Sequence, residues 1–71
     1  MTKFADMPSG SLNGWLLWAN SHDWGGDHKA WYDAHTGELV TYCWVSEADG
    51  SGYVEQARHT TPKELKAWAG Y

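Results

Sequence analysis

Seventy-one residues with five Lys and Arg against nine Asp and Glu carry a net charge of −4, which disfavours passive attraction to nucleic-acid phosphates, because that needs clustered basic side chains. The single cysteine, Cys43, excludes an internal disulfide and fits a reducing compartment; with no apolar run of signal-peptide or membrane-span length, the expected location is the cytoplasm. A chain this short makes one domain, residues 1–71, and buries only about 60% of its unfolded surface, so its six Trp and four Tyr are the main packing material in place of disulfides.

Residues 1–10 read as an irregular lead-in, broken by Pro8, Ser9 and Gly10. A first helix is expected over 11–23, with Ser11 as its cap and Leu12 as its first turn. Leu12, Trp15, Leu16 and Ala19 recur at helical spacing and define its inner face, while Leu17 points away from them. Gly25-Gly26 follows the expected stop.

From Lys29 the period changes to two, and residues 29–59 read as a three-stranded antiparallel meander. KAWYDA is its first strand. A four-residue turn over 34–37 pairs Asp33 with Glu38, Tyr32 with Leu39 and Trp31 with Val40. ELVTYCWVS, rich in β-branched and aromatic residues, is the central strand. Asp49-Gly50 reads as a two-residue type I′ turn, pairing Ala48 with Ser51, Val45 with Val54, Trp44 with Glu55 and Tyr42 with Ala57. YVEQARH is the third strand. A second helix is expected over 61–70, with Thr61 and Glu64 as a capping box, Pro62 in its first turn, and Leu65, Trp68 and Ala69 facing inward. The expected fold is α+β, a small α-β-β-β-α domain with the meander packed against two short helices.

That register sorts the sheet into two faces. Tyr32, Leu39, Cys43, Val45 and Val54 share one; Trp31, Val40, Tyr42, Trp44 and Tyr53 share the other. Two helices flanking a meander tend to cover one side of it, so the first set is expected to form the core with Leu12, Trp15, Leu16, Leu65 and Trp68. The second set is then left open. The alternative reading exchanges the roles of the two faces.

Metal and catalytic chemistry find little support. His22, Asp23, Asp27 and His28 are suitable ligand types, but two glycines interrupt them and no helix carries both histidines on one face. No metal, cofactor or catalytic residue is assigned. Cys43 sits mid-strand beside Trp44, a setting expected to bury the thiol rather than activate it. There is no nucleophile elbow and no phosphate-binding glycine loop. The remaining signal is a surplus of aromatic side chains, the residue types enriched at interface hot spots. The expected function is therefore a non-enzymatic protein-binding domain, with Trp31, Tyr42, Trp44, Tyr53, Glu55 and Leu17 as contact residues and self-association as a homodimer as a variant of the idea. A sheet-borne platform that stacks nucleic-acid bases or sugars is the alternative, opposed by the acidic balance and by Glu55 opposite Trp44. In size, acidity and lack of catalytic motif the chain resembles accessory proteins of phages and mobile elements. The resemblance implies steric blocking of a host protein, with Asp33, Glu38, Glu47, Asp49 and Glu55 steering it to a basic target.

Overall fold

The chain enters its fold earlier than its turn-forming start suggests. The structure is a computed structural model describing residues 2–22 and 24–71. A single 3₁₀ turn, Phe4–Asp6, precedes helix α1 (Ser9–Asn20), strands β1 (Trp31–Asp33), β2 (Glu38–Ser46) and β3 (Gly52–His59), and helix α2 (Pro62–Ala69). The strands form one antiparallel sheet in the order β1-β2-β3. The architecture is thus the α+β, α-β-β-β-α arrangement expected from the sequence. No helix among the described residues is long and apolar enough to cross a membrane.

Two helix boundaries differ from expectation. α1 starts at Ser9, two residues before the expected cap, with Pro8 preceding its first turn at φ −65° and ψ 156°. The Pro8 carbonyl accepts from the Leu12 amide at 3.1 Å. A proline at a helix start loses nothing by lacking an N–H and has its φ already set, so here it opens the helix rather than breaking it. α1 then ends at Asn20 rather than 23, because the Ser21 hydroxyl donates to the Trp18 carbonyl at 2.7 Å and turns the chain out. Asp23 lies outside the described residues.

The first hairpin has the expected register: Trp31 opposite Val40, Tyr32 opposite Leu39, Asp33 opposite Glu38. The Asp33 carboxylate accepts from the His35 amide at 2.9 Å, and Gly37 takes φ 74°, which an L side chain rarely adopts.

The second hairpin is shifted by one residue. Its turn is a three-residue loop. The Glu47 amide donates to the Ser51 carbonyl, the Gly50 amide donates back to the Glu47 carbonyl, and Gly50 takes φ 91°. The Asp49 carboxylate accepts from the Ser51 amide at 3.0 Å and the Ser51 hydroxyl at 2.6 Å. A turn closed by one left-handed glycine is the three-residue type. The ladder therefore pairs Val45 with Tyr53, Trp44 with Val54, Cys43 with Glu55, Tyr42 with Gln56 and Thr41 with Ala57. Since strand side chains alternate, a shift of one reverses every side chain of β3. Tyr53 and Glu55 move to the face of Leu39, and Val54, Gln56 and Arg58 join the face of Trp31.

Both helices lie on the Leu39 face. Phe4, Ala19, Leu39 and Leu65 are fully enclosed there, with Leu12, Trp15, Leu16, Trp18, Trp24, Tyr32 and Trp68 packed around them. Phe4 and Trp15 meet edge to face at 6.2 Å. The 3₁₀ turn is thus part of the core, and its Phe4 amide donates to the Thr60 carbonyl at 2.9 Å. α2 carries the expected cap: the Thr61 hydroxyl accepts from the Glu64 amide at 3.2 Å, while the Glu64 carboxylate accepts from the amide of Thr60 rather than Thr61, at 2.7 Å. The cover reaches only the Leu39 end of the sheet. Leu39, Thr41 and His59 are buried, Cys43 and Val45 half-buried, and Tyr53 and Glu55 exposed.

Candidate functional site: the open face of the sheet

β2 sends Val40, Tyr42 and Trp44 to the side of the sheet opposite the helices, and register adds Trp31 from β1 and Val54, Gln56 and Arg58 from β3. Trp44 is 55% and Trp31 41% exposed, while Val40 between Trp31 and Arg58 is fully buried. The rings thus seal the sheet below them and present their outer surfaces to solvent.

These side chains are held in place. The Trp31 indole N–H donates to the Tyr42 hydroxyl at 2.8 Å. The Gln56 amide also approaches that hydroxyl, at 3.4 Å, and accepts in turn from the Arg58 Nε–H at 3.2 Å. Arg58 Nη1 donates to Asp33 at 3.0 Å and Glu38 at 3.3 Å, and its guanidinium lies 5.9 Å from the centre of the Trp31 ring. The hydrogen bond from Arg58 holds the Asp33 carboxyl below its ordinary value; reciprocally, Asp33 raises the guanidinium. At the loop edge, the His28 ring packs on Tyr42 at 5.4 Å. Gly25 runs so close that an added Cβ would stand 2.8 Å from the Tyr42 Cβ.

Of the six contact residues expected from sequence, the structure groups three: Trp31, Tyr42 and Trp44. Tyr53 and Glu55 are exposed but lie on the opposite face, a correction that follows from the three-residue turn. Leu17, 73% exposed on α1, belongs to the helical side and not to this cluster. Val54, Gln56 and Arg58 were missed for the same reason that Tyr53 and Glu55 were misplaced. Among the carboxylates expected to steer a partner, Asp33 and Glu38 are tied to Arg58. Asp49 is held by Ser51, which lowers its pKa, and Glu47 is exposed on the same loop.

The loop histidines have structural partners. His22 Nδ1 lies 2.7 Å from the Trp18 carbonyl and Nε2 3.1 Å from the Tyr71 hydroxyl, and its ring stacks on Trp24 at 4.5 Å. His28 Nδ1 lies 3.2 Å from the Gly25 carbonyl. Among the described residues no three His, Cys, Asp or Glu side chains gather as a metal would require. The niche between Asn20, Gly25, His28 and Thr41 holds about 10 Å³, room for one water. A shallow groove of about 370 Å³ runs along α1 past Ser11, Gly14, Trp15 and Trp18. The chemistry the open face offers is therefore flat aromatic contact bordered by a bound arginine and amide. No protein-family model, curated protein or solved structure matches this chain.

Proposed function

We propose that this chain is a non-enzymatic protein-binding domain that docks through the open face of its sheet and acts by covering a surface of its partner, in the manner of a cytoplasmic accessory or inhibitor protein. The observation that carries the reading is the row of Trp31, Tyr42 and Trp44 on the helix-free face, with Trp31 and Trp44 exposed and the half-buried Tyr42 between them holding Trp31 through its hydroxyl. Rigid aromatic side chains lose little entropy when a partner covers them, and they dominate interface energetics. The Glu47–Ser51 loop beside Trp44 adds Glu47 and Asp49, so the partner that fits is apolar at its centre with basic residues at its rim.

Base stacking is the second reading. It gains from the register, which removes Glu55 from the platform and puts Gln56 and Arg58 there instead. It loses because Arg58 is already neutralised by two carboxylates, whereas single-strand binders pair their rings with a basic groove.

Titrating tryptophan fluorescence separates the readings. A protein partner captured from cell extract should bind the wild type and lose at least about thirtyfold in affinity for Trp44→Ala, which corresponds to about 2 kcal/mol or more, as expected of a hot spot. Trp44→Ala should keep the wild-type circular dichroism spectrum. Saturable quenching by oligonucleotides or oligosaccharides, with no protein ligand sensitive to Trp44, contradicts the proposal.

A further inference from the structure

We propose that β3 pairs edge to edge with β3 of a second copy of this chain, antiparallel about a two-fold axis at Val54, so that two sheets become one. This stands independently of what the open face binds.

The backbone of β3 is half used. The Glu47 amide bonds toward Ser51, whereas the Trp44 amide turns the other way, to the Trp24 carbonyl at 2.9 Å. In an antiparallel ladder these directions alternate, so Tyr53, Glu55, Ala57 and His59 bond inward to β2. Gly52, Val54, Gln56 and Arg58 then aim their N–H and C=O groups outward, and none of these finds a backbone partner among the described residues. Natural edges are usually blunted by lysine, proline, a bulge or a cover. Gly52–His59 contains neither lysine nor proline, and its one cation, Arg58, reaches back across the sheet to β1 and β2 instead of guarding the edge.

Only a short strand fits, and charge chooses its position. At the far end the edge is closed, because the Thr60 carbonyl already accepts from the Phe4 amide. Opposing Gln56 to Gln56 would push the second copy's Gly52 against this closed position. Centring the pair on Glu55 would set two carboxylates directly opposite each other, which is destabilising. Centring on Tyr53 shortens the ladder by a pair. Centring on Val54 avoids all three: Gly52 meets Gln56, Val54 meets Val54, and Tyr53 meets Glu55 of the other copy, with about six backbone hydrogen bonds formed. The two-fold axis is then normal to the sheet, so both open faces point the same way. Trp44 and Val54 of each copy, neighbours across β2 and β3, would join into one apolar stripe across the axis.

Sedimentation velocity over a concentration series tests this, with Val54→Pro as the variant. The outward Val54 N–H is not used within the monomer, so a proline there removes only the intermolecular donor and crowds the edge. The wild type should show a monomer–dimer equilibrium, and Val54→Pro should weaken it about tenfold to a hundredfold, the effect of losing two hydrogen bonds, with an unchanged circular dichroism spectrum. Gln56→Pro is the second variant, expected to act the same way. Should both variants fail to fold, hydrogen exchange on the wild type decides: the amides of Val54 and Gln56 should gain protection as concentration rises, while those of Tyr53 and Glu55 stay protected throughout. A wild type that remains monomeric, a dimer that ignores both substitutions, or outward amides whose exchange is independent of concentration overturns the proposal.

Discussion

The indole of Trp44 rests on the backbone of Gly52, diagonally across the β2–β3 ladder. A methyl group at Gly52 would stand 2.4 Å from the indole Cζ2 and 2.8 Å from the Val45 carbonyl oxygen. The first contact could be relieved by swinging the ring outward; the second is with backbone and cannot. Gly52→Ala is therefore expected to destabilise the fold by about 1–3 kcal/mol, the usual cost of overpacking, read as a lower urea midpoint. It should also shift Trp44 emission to the red as the ring leaves its seat.

Tyr42→Phe removes the hydroxyl that accepts from the Trp31 indole. Water can replace that acceptor at so open a site, so the stability loss should stay below about 1 kcal/mol. The larger effect is expected in the near-ultraviolet circular dichroism, because Trp31 loses the bond that fixes its ring. An unchanged aromatic signal would show that the row is not held by this bond.

Phe4 and Leu17 form a contrasting pair. Phe4 is fully buried and Leu17 is 73% exposed. Phe4→Ala should cost about 3–5 kcal/mol, a large fraction of the stability of a domain of this size. Leu17→Ala should change stability by less than about 0.5 kcal/mol. Thermal unfolding of both variants checks the contrast.

That contrast also shows what the sequence could and could not tell. The helical spacing of Leu12, Trp15, Leu16 and Ala19, the capping box at Thr61 and Glu64, and the alternation through ELVTYCWVS are local signals, and each produced its element. The Asp33 turn was legible because its carboxylate and Gly37 act within a few residues. Asp49-Gly50 misled because the same dipeptide serves a two-residue and a three-residue turn. The choice was made by Ser51, whose amide and hydroxyl both bond Asp49. One residue of register then carried Tyr53 and Glu55 off the expected site. Phe4 was invisible for a different reason: a lone aromatic in a turn has no periodicity, and its burial is decided by the distant Trp15 and Thr60.

His59 makes the fold acid-sensitive. It is buried, with Nε2 2.8 Å from the Thr41 hydroxyl and its ring 5.1 Å from that of Trp68. Burial lowers its pKa below 6.5, and the nearby carboxylates of Glu64 and Glu38 only partly offset this. In the unfolded chain His59 titrates at its ordinary value. As pH falls below that value the unfolded state takes up the proton first, so stability is intact above it and is lost down to the folded-state pKa. The urea midpoint should hold at neutral pH and fall as pH drops below about 6.5, and His59→Gln should flatten that dependence. A wild-type midpoint that rises on acidification would contradict this assignment.

The most direct measurement of the docking surface is photo-crosslinking in cell extract, with a photoreactive phenylalanine analogue at position 44 on the open face or at position 17 on α1. Position 44 should give a discrete protein adduct, insensitive to nuclease and suppressed by excess wild-type chain, and position 17 should give none. Adducts formed only from position 17, or adducts from position 44 that nuclease abolishes, would contradict the claim that the helix-free face holds a protein.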